Sequence, residues 1–197
     1  MSYGNLVERK LKVMPNLYLG GDVSFAKSGI AIIKVTKRVP TVELAYLITS
    51  NKDRESHIRI DDTITEIKHM ASKYDVQAIV KEQSMVARAS TATPVIKTHA
   101  VFEHVLADRF RIDNIHASSI KKWARGILGK EAVDQLKIDE PKNHGKLLVG
   151  KAVEKYYGES VRELLYTPRG RYIDDIGDAI ALMTLWLEEQ DLIDIKR

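Results

Sequence analysis

Cysteine is absent from the sequence. Disulfides and thiolate metal sites are therefore excluded, and any metal must be held by oxygen or imidazole. A cysteine-free composition fits a reducing compartment. Long uncharged apolar runs are also missing, so no membrane-spanning helix is expected. Residues Met1 to Asn16 mix Glu8, Arg9, Lys10 and Lys12 with scattered apolar side chains and lack the apolar stretch of a secretory signal. They read as an N-terminal extension. Internal repeats and low-complexity tracts are absent. The six histidines show no pairing at metal-ligand spacing, so carboxylates are the donors left to consider.

What is present suits one domain over residues 17–190. Hydrophobic residues make up 44% of 197, enough for a real core. The net charge of +4 permits a polyanionic partner without demanding one. Three short β-branched or apolar segments, Leu17 to Val23, Gly29 to Val35 and Thr41 to Thr49, are joined by turns and predict an antiparallel meander. Ile60, Ile64, Ile67 and Ala71 recur at helical spacing within His57 to Tyr74. A strand, Val76 to Val80, follows and ends at Lys81-Glu82. Its separation from the meander by a helix implies a crossover and a parallel neighbour. A helix over Pro94 to Phe110, a strand over Arg111 to His116 and a short helix capped by Ser118 or Ser119 and running through Ala124 come next. Gly126 to Gly145, rich in glycine and charge, reads as a flexible loop or a partly helical insertion. Helices over Lys146 to Tyr157 and Asp174 to Glu189 flank a basic loop, Tyr166 to Arg171. The expected fold class is α/β: a mixed five-stranded sheet, a three-strand antiparallel meander plus parallel strands, with helices on both faces.

The acids stand out against this frame. Asp22 ends the first strand and Glu82 the fourth, and strand ends open onto the functional crevice of an α/β sheet. If the crossover sets these strands side by side, two carboxylates meet. Like charges at one point repel unless a cation intervenes, and hard oxygen donors favour magnesium or manganese. Asp175 and Asp178, spaced i, i+3, share a helix face, with Gly177 between them. Each acid alone has an ordinary explanation, as a turn, a helix cap or a surface charge. Asp178 fits capping least, because it lies a turn inside the helix beside Ile176 and Ala179, where an unpaired acid is costly.

Three segments resemble the motifs of the RuvC-type Holliday junction resolvases, in the RNase H-like superfamily. Gly20-Gly-Asp-Val-Ser-Phe-Ala-Lys-Ser-Gly29 is similar to the opening strand-turn-strand, Ala78-Ile-Val-Lys-Glu82-Gln to the second motif, and Asp175-Ile-Gly-Asp178-Ala-Ile-Ala to the closing helix. They occur in the family's order. Asp22-Val-Ser24 stands where the family usually has Asp-Pro-Gly, and Met85 where an aromatic residue is common, as in divergent phage-type members. The resemblance implies an RNase H-like fold and a magnesium-dependent endodeoxyribonuclease that acts in DNA recombination and repair. Asp22, Glu82, Asp175 and Asp178 would be its catalytic and metal-binding residues, with two Mg2+ ions per site for which Mn2+ substitutes. It implies branched DNA, the four-way junction above all, as partner, a homodimer, no membrane, and a cytoplasmic location in a bacterial or phage-infected cell. Lys121, Lys122 and Lys146 match or neighbour the family's DNA-contacting lysines, and Met85 and Arg88 follow its second motif. Alternatives are an RNase H-like nuclease acting on RNA–DNA hybrid or RNA, and a non-catalytic junction-binding protein. Actin-like sugar kinases share an Asp-x-Ser strand turn. They need two such domains, and Glu82, Asp175 and Asp178 would have no role there.

Overall fold

A computed structural model describes residues 16–83 and 89–196, with residues 89–92 as backbone only. Strands β1 (Asn16–Asp22), β2 (Lys27–Thr36) and β3 (Val39–Thr49) form the expected antiparallel meander. Helix α1 (Ser56–Lys73) crosses over to β4 (Ala78–Glu82), which lies parallel to β1. Helix α2 (Ala89–Leu106) leads to β5 (Arg111–Ile115), parallel to β4. The sheet order is β3-β2-β1-β4-β5. Then follow α3 (Ala117–Leu128), α4 (Lys130–Asp139), α5 (His144–Tyr157), a 3-10 turn (Glu159–Val161), α6 (Arg162–Leu165) and α7 (Asp174–Glu189). No described helix is long and apolar enough to cross a membrane.

Helices cover both faces of the sheet, and side-chain alternation sorts the core into two halves. Leu19, Ile30, Ile32 and Ile79 pack with Ile60, Ile64 and Ile67 of α1 and Phe102 and Leu106 of α2. Tyr18, Ala31, Ile33, Ala78 and Val80 pack with α3, α5 and α7. Double coverage explains the six consecutive buried residues Ser28 to Ile33 in β2.

Several boundaries differ from the sequence expectation. Helix α2 begins five residues earlier, so Pro94 lies inside it rather than at its first position. Helix α3 starts after His116, whose extended backbone caps it without any side-chain bond from Ser118 or Ser119. It runs on to Leu128 because Ile120, Trp123, Ala124 and Ile127 continue the buried stripe. The stretch 126–145 is largely helical. Gly129, at φ +83, turns the chain between α3 and α4, and Pro141 falls after α4, so both breakers punctuate helices instead of abolishing them. The chain stays packed past α7: Ile193 is buried, and Arg38 bonds Asp191 and Asp194, each at 2.7 Å. Residues 1–15 lie outside the described residues.

Helix α7 approaches the sheet more closely than side chains normally allow. At Gly20 an added Cβ would overlap the Ala179 carbonyl oxygen and come 2.8 Å from Met183 Cβ. At Gly29 it would overlap the Asp175 carbonyl. Backbone does not yield as a side-chain tip does. Gly20→Ala is therefore expected to cost about 1–3 kcal/mol, lowering the melting temperature by roughly 3–10 °C. Gly126→Ala, which meets open space inside α3, is expected to raise it slightly. Equal melting temperatures for wild type and Gly20→Ala would contradict the close packing.

Candidate functional site

Strand register builds the site. Gly21 pairs with Lys81, and one residue further along each parallel strand come Asp22 and Glu82. Alternation points both toward the α7 face, as it does Tyr18 and Val80. Asp22 also pairs with Gly29, the residue on which the first turn of α7 rests. That contact carries Asp175 and, one turn on, Asp178 to the same strand ends. Glu82 and Asp178 line a small cleft of about 180 Å³ with Ala117, Ile120, Lys121 and Val149.

The electrostatics register the crowding. Burial pushes the Asp22 carboxyl up to about 8, helped by repulsion from Asp178, Glu82, Asp175 and Asp174. Burial likewise lifts Asp178 to about 7, with Glu82, Asp174 and Asp175 adding to it and Lys121 opposing. Glu82 is raised by burial and relieved by Lys121. Asp175 is raised by burial and Asp174, against Lys27 and Lys146. At Asp174 burial pushes upward too, but the Lys146 hydrogen bond, the helix backbone and the charges of Lys146 and Arg171 carry it below the usual range. Asp22 thus feels the other three acids, and Asp178 feels Glu82 and Asp175, on top of burial. They are not closed into a ready-made cage: among the described residues no group of three or more acidic or imidazole side chains stands close enough to hold a metal ion. The donor chemistry nevertheless fits a hard divalent cation, being all carboxylate and short of positive charge.

The expected basic residues divide. Lys121 is brought to the cleft beside Glu82 and Asp178. Lys146 reaches Asp174, Nζ to Oδ2 at 3.0 Å. Lys122 is not brought to the acids: one position along α3 turns it into a separate hollow with Trp123, Gly126, Ile127 and Glu189. That hollow, about 580 Å³, is larger than the cleft, but none of the four acids lines it. Met85 and Arg88 lie outside the described residues.

Two features were not anticipated. Lys27, taken as a turn lysine, is held near Asp175 by a serine-knit turn in which Ser28 Oγ donates to the Ser24 carbonyl at 3.1 Å and accepts from Ser24 N at 3.0 Å. Lys81 is buried on the opposite face from Glu82, with Nζ 3.1 Å from His99 Nδ1 and 3.1 Å from Glu103 Oε1. Burial, and then Lys81, lower the His99 pKa to about 4, so the ring is neutral and accepts from the ammonium. His99 also bonds the backbone of Val23, next to Asp22. This network ties α2 to both strand ends that carry the acids. Strict alternation around Glu82 was the available signal, since it turns Lys81 inward.

A stability consequence follows with a definite sign. Folding raises the Asp22 pKa far above its unfolded value, so the folded state holds a proton that the unfolded state loses. The associated stability is full below about pH 4 and is lost as pH rises toward 8. In EDTA, Asp22→Asn is therefore expected to melt above wild type at pH 8.5, with the gap shrinking toward pH 5. A gap that does not vary with pH would contradict the charge-repulsion account.

No family model and no curated protein matches the chain. Among solved structures it is similar to Thermus thermophilus RuvC, at TM-score 0.58 and 11% identity over 89% of this chain and 97% of that one. The same protein in complex with a Holliday junction substrate gives TM-score 0.57 and 9% identity over 90% and 97%. Fowlpox virus resolvase, complexed with its substrate Holliday junction DNA, gives 0.52 and 11% over 88% and 98%. The chain has the RNase H-like fold of the RuvC-type Holliday junction resolvases.

Proposed function

We propose that the chain is a RuvC-type, structure-selective endonuclease that cuts four-way and other branched DNA. The observation that carries this is the meeting of Asp22, Glu82, Asp175 and Asp178 at adjoining strand ends, on a fold shared with resolvases. Crowded, part-buried carboxylates near adjoining strand ends destabilise the free protein, and a cation-dependent role accounts for their presence.

Asp22, Glu82, Asp175 and Asp178 would hold the divalent ions, two Mg2+ with Mn2+ as a substitute. When bound, such ions activate a water as nucleophile and neutralise charge on the leaving 3′ oxygen. The protein supplies the rest. Raised pKa values keep Asp22 and Asp178 partly protonated until the cation binds, and deprotonation then provides the negative donor set. Lys121, beside Glu82 and Asp178, is placed to attract the scissile phosphate. Lys146 contributes a second positive contact on the Asp174 side. Such contacts hold backbone without reading sequence. The rigid seat of α7 on Gly20 and Gly29 keeps the two halves of the acid set in register. The working form would be a homodimer, so that two such sites nick opposed strands. Helix α2 offers Ile96, 45% exposed, to such an interface, whereas its Phe102 is core.

The test is cleavage of an end-labelled four-way junction, alongside linear duplex, a three-way junction and an RNA–DNA hybrid, in magnesium, manganese or EDTA. Paired nicks in the junction, abolished by EDTA, are expected. Asp175→Asn is expected to lower the rate on the order of 10²–10³-fold, and Lys121→Ala to lower it while leaving the fold intact. Cutting confined to the hybrid would transfer the function to an RNase H. Tight junction binding without any cutting would make the chain a binding protein.

A further inference from the structure

We propose that the hairpin between α6 and α7 belongs to the DNA interface, and that its Arg171 and Lys146 of α5 seat one backbone phosphate, which takes the place Asp174 holds beside Lys146 in the free protein. The proposal rests on the nuclease function above and extends it to a site that none of the four acids forms.

The segment is a built element and not a loose loop. Tyr166 and Tyr172 form an isolated antiparallel bridge. Thr167 N donates to the Arg171 carbonyl at 2.8 Å, and Gly170 N to the Thr167 carbonyl at 2.8 Å. Arg171 N donates to Thr167 Oγ1 at 3.1 Å, and Gly170 takes φ +74 at the tip. The Tyr172 ring is wedged between two helices at positions that only glycine leaves open. A Cβ at Gly150 would come 2.6 Å from Tyr172 Cζ, and one at Gly177 2.9 Å from the same atom. The hairpin is thus fixed to α5 and α7, the helix that carries Asp175 and Asp178.

Its charge is unspent. Arg169 and Arg171 are both exposed, and among the described residues neither guanidinium has an ion-pair partner. Arg171 lines a cleft of about 330 Å³ with Asn143, Lys146, Tyr172 and Asp174, and Glu140 stands at the same cleft. Lys146 Nζ lies 3.0 Å from Asp174 Oδ2, and Arg171 lines the same cleft. Asp174 in turn is felt by Asp22, Asp175 and Asp178, so the cleft adjoins the acid cluster. A strand whose scissile phosphate lies at the acids would bring a neighbouring phosphate here. A phosphodiester offers Lys146 the anionic oxygens that the Asp174 carboxylate offers it in the free protein, and it can be gripped bidentately by the unpaired Arg171 guanidinium. An exposed ion pair such as Lys146–Asp174 is weak and readily exchanged.

The measurement is junction binding by fluorescence anisotropy in EDTA, across a salt series, for wild type, Arg171→Ala and Asp174→Asn. Cleavage plays no part in the readout. Arg171→Ala is expected to bind about tenfold more weakly, with its log–log salt slope reduced by about 1. Asp174→Asn is expected to bind roughly threefold more tightly, because the competing carboxylate charge is gone. If the wild type binds but Arg171→Ala keeps its affinity and slope, or Asp174→Asn fails to gain affinity, the seat is overturned and the nuclease function stands. If the wild type binds no branched DNA, the function itself fails and the seat with it.

Discussion

The contact of α7 with the sheet, backbone against backbone at Gly20 and Gly29, is the constraint on which the rest depends. A side chain at either glycine would hold the helix off the strands. With both positions bare, the first two turns of α7 lie over the ends of β1 and β2. Asp175 and Asp178 then reach Asp22 without a long loop to carry them. The helix is also the most deeply buried one, with eleven of its residues from Ile176 to Leu187 in the core. Hydrophobic burial along its length thus holds the crowded acids at its start together.

That crowding gives the site its character. Asp22 and Asp178 are pushed toward neutrality by burial and by neighbouring carboxylates, while Lys121, Lys146 and Lys27 stand near the cluster without cancelling it. Behind the sheet, the buried Lys81–His99–Glu103 network fixes the strand end from which Glu82 projects. It lies on the α2 face and is separated from the acids by the sheet itself, so it serves position and not chemistry.

Much of this was legible in the residues. Hairpin-linked strands and one helical crossover called for a parallel neighbour and allowed β1 beside β4, which is the order observed. Strand-end placement singled out Asp22 and Glu82, and i, i+3 spacing put Asp175 and Asp178 together. What escaped depends on contacts between distant segments. Lys81 becomes a buried charge only because His99 and Glu103 of α2 come to meet it. Lys122 adjoins Lys121 in the sequence, yet one residue of helical rotation faces it into another hollow. Helix α4 was obscured by Gly129 at its start and Pro141 just past its end, with Gly126 and Gly145 inside the neighbouring helices. Tyr172 gave no sequence signal at all, since its wedge needs Gly150 and Gly177 from two different helices.

Whether the four carboxylates form one cation site can be read by calorimetric titration of Mn2+ into the metal-free protein at pH 6 and pH 9, in buffers of differing ionisation enthalpy. Saturable binding is expected, with proton release at pH 6, where Asp22 and Asp178 hold protons, and little release at pH 9. Both signals are expected to be lost in Asp178→Asn. Binding that releases no protons at pH 6, or that persists unchanged in Asp178→Asn, would rule out such a site.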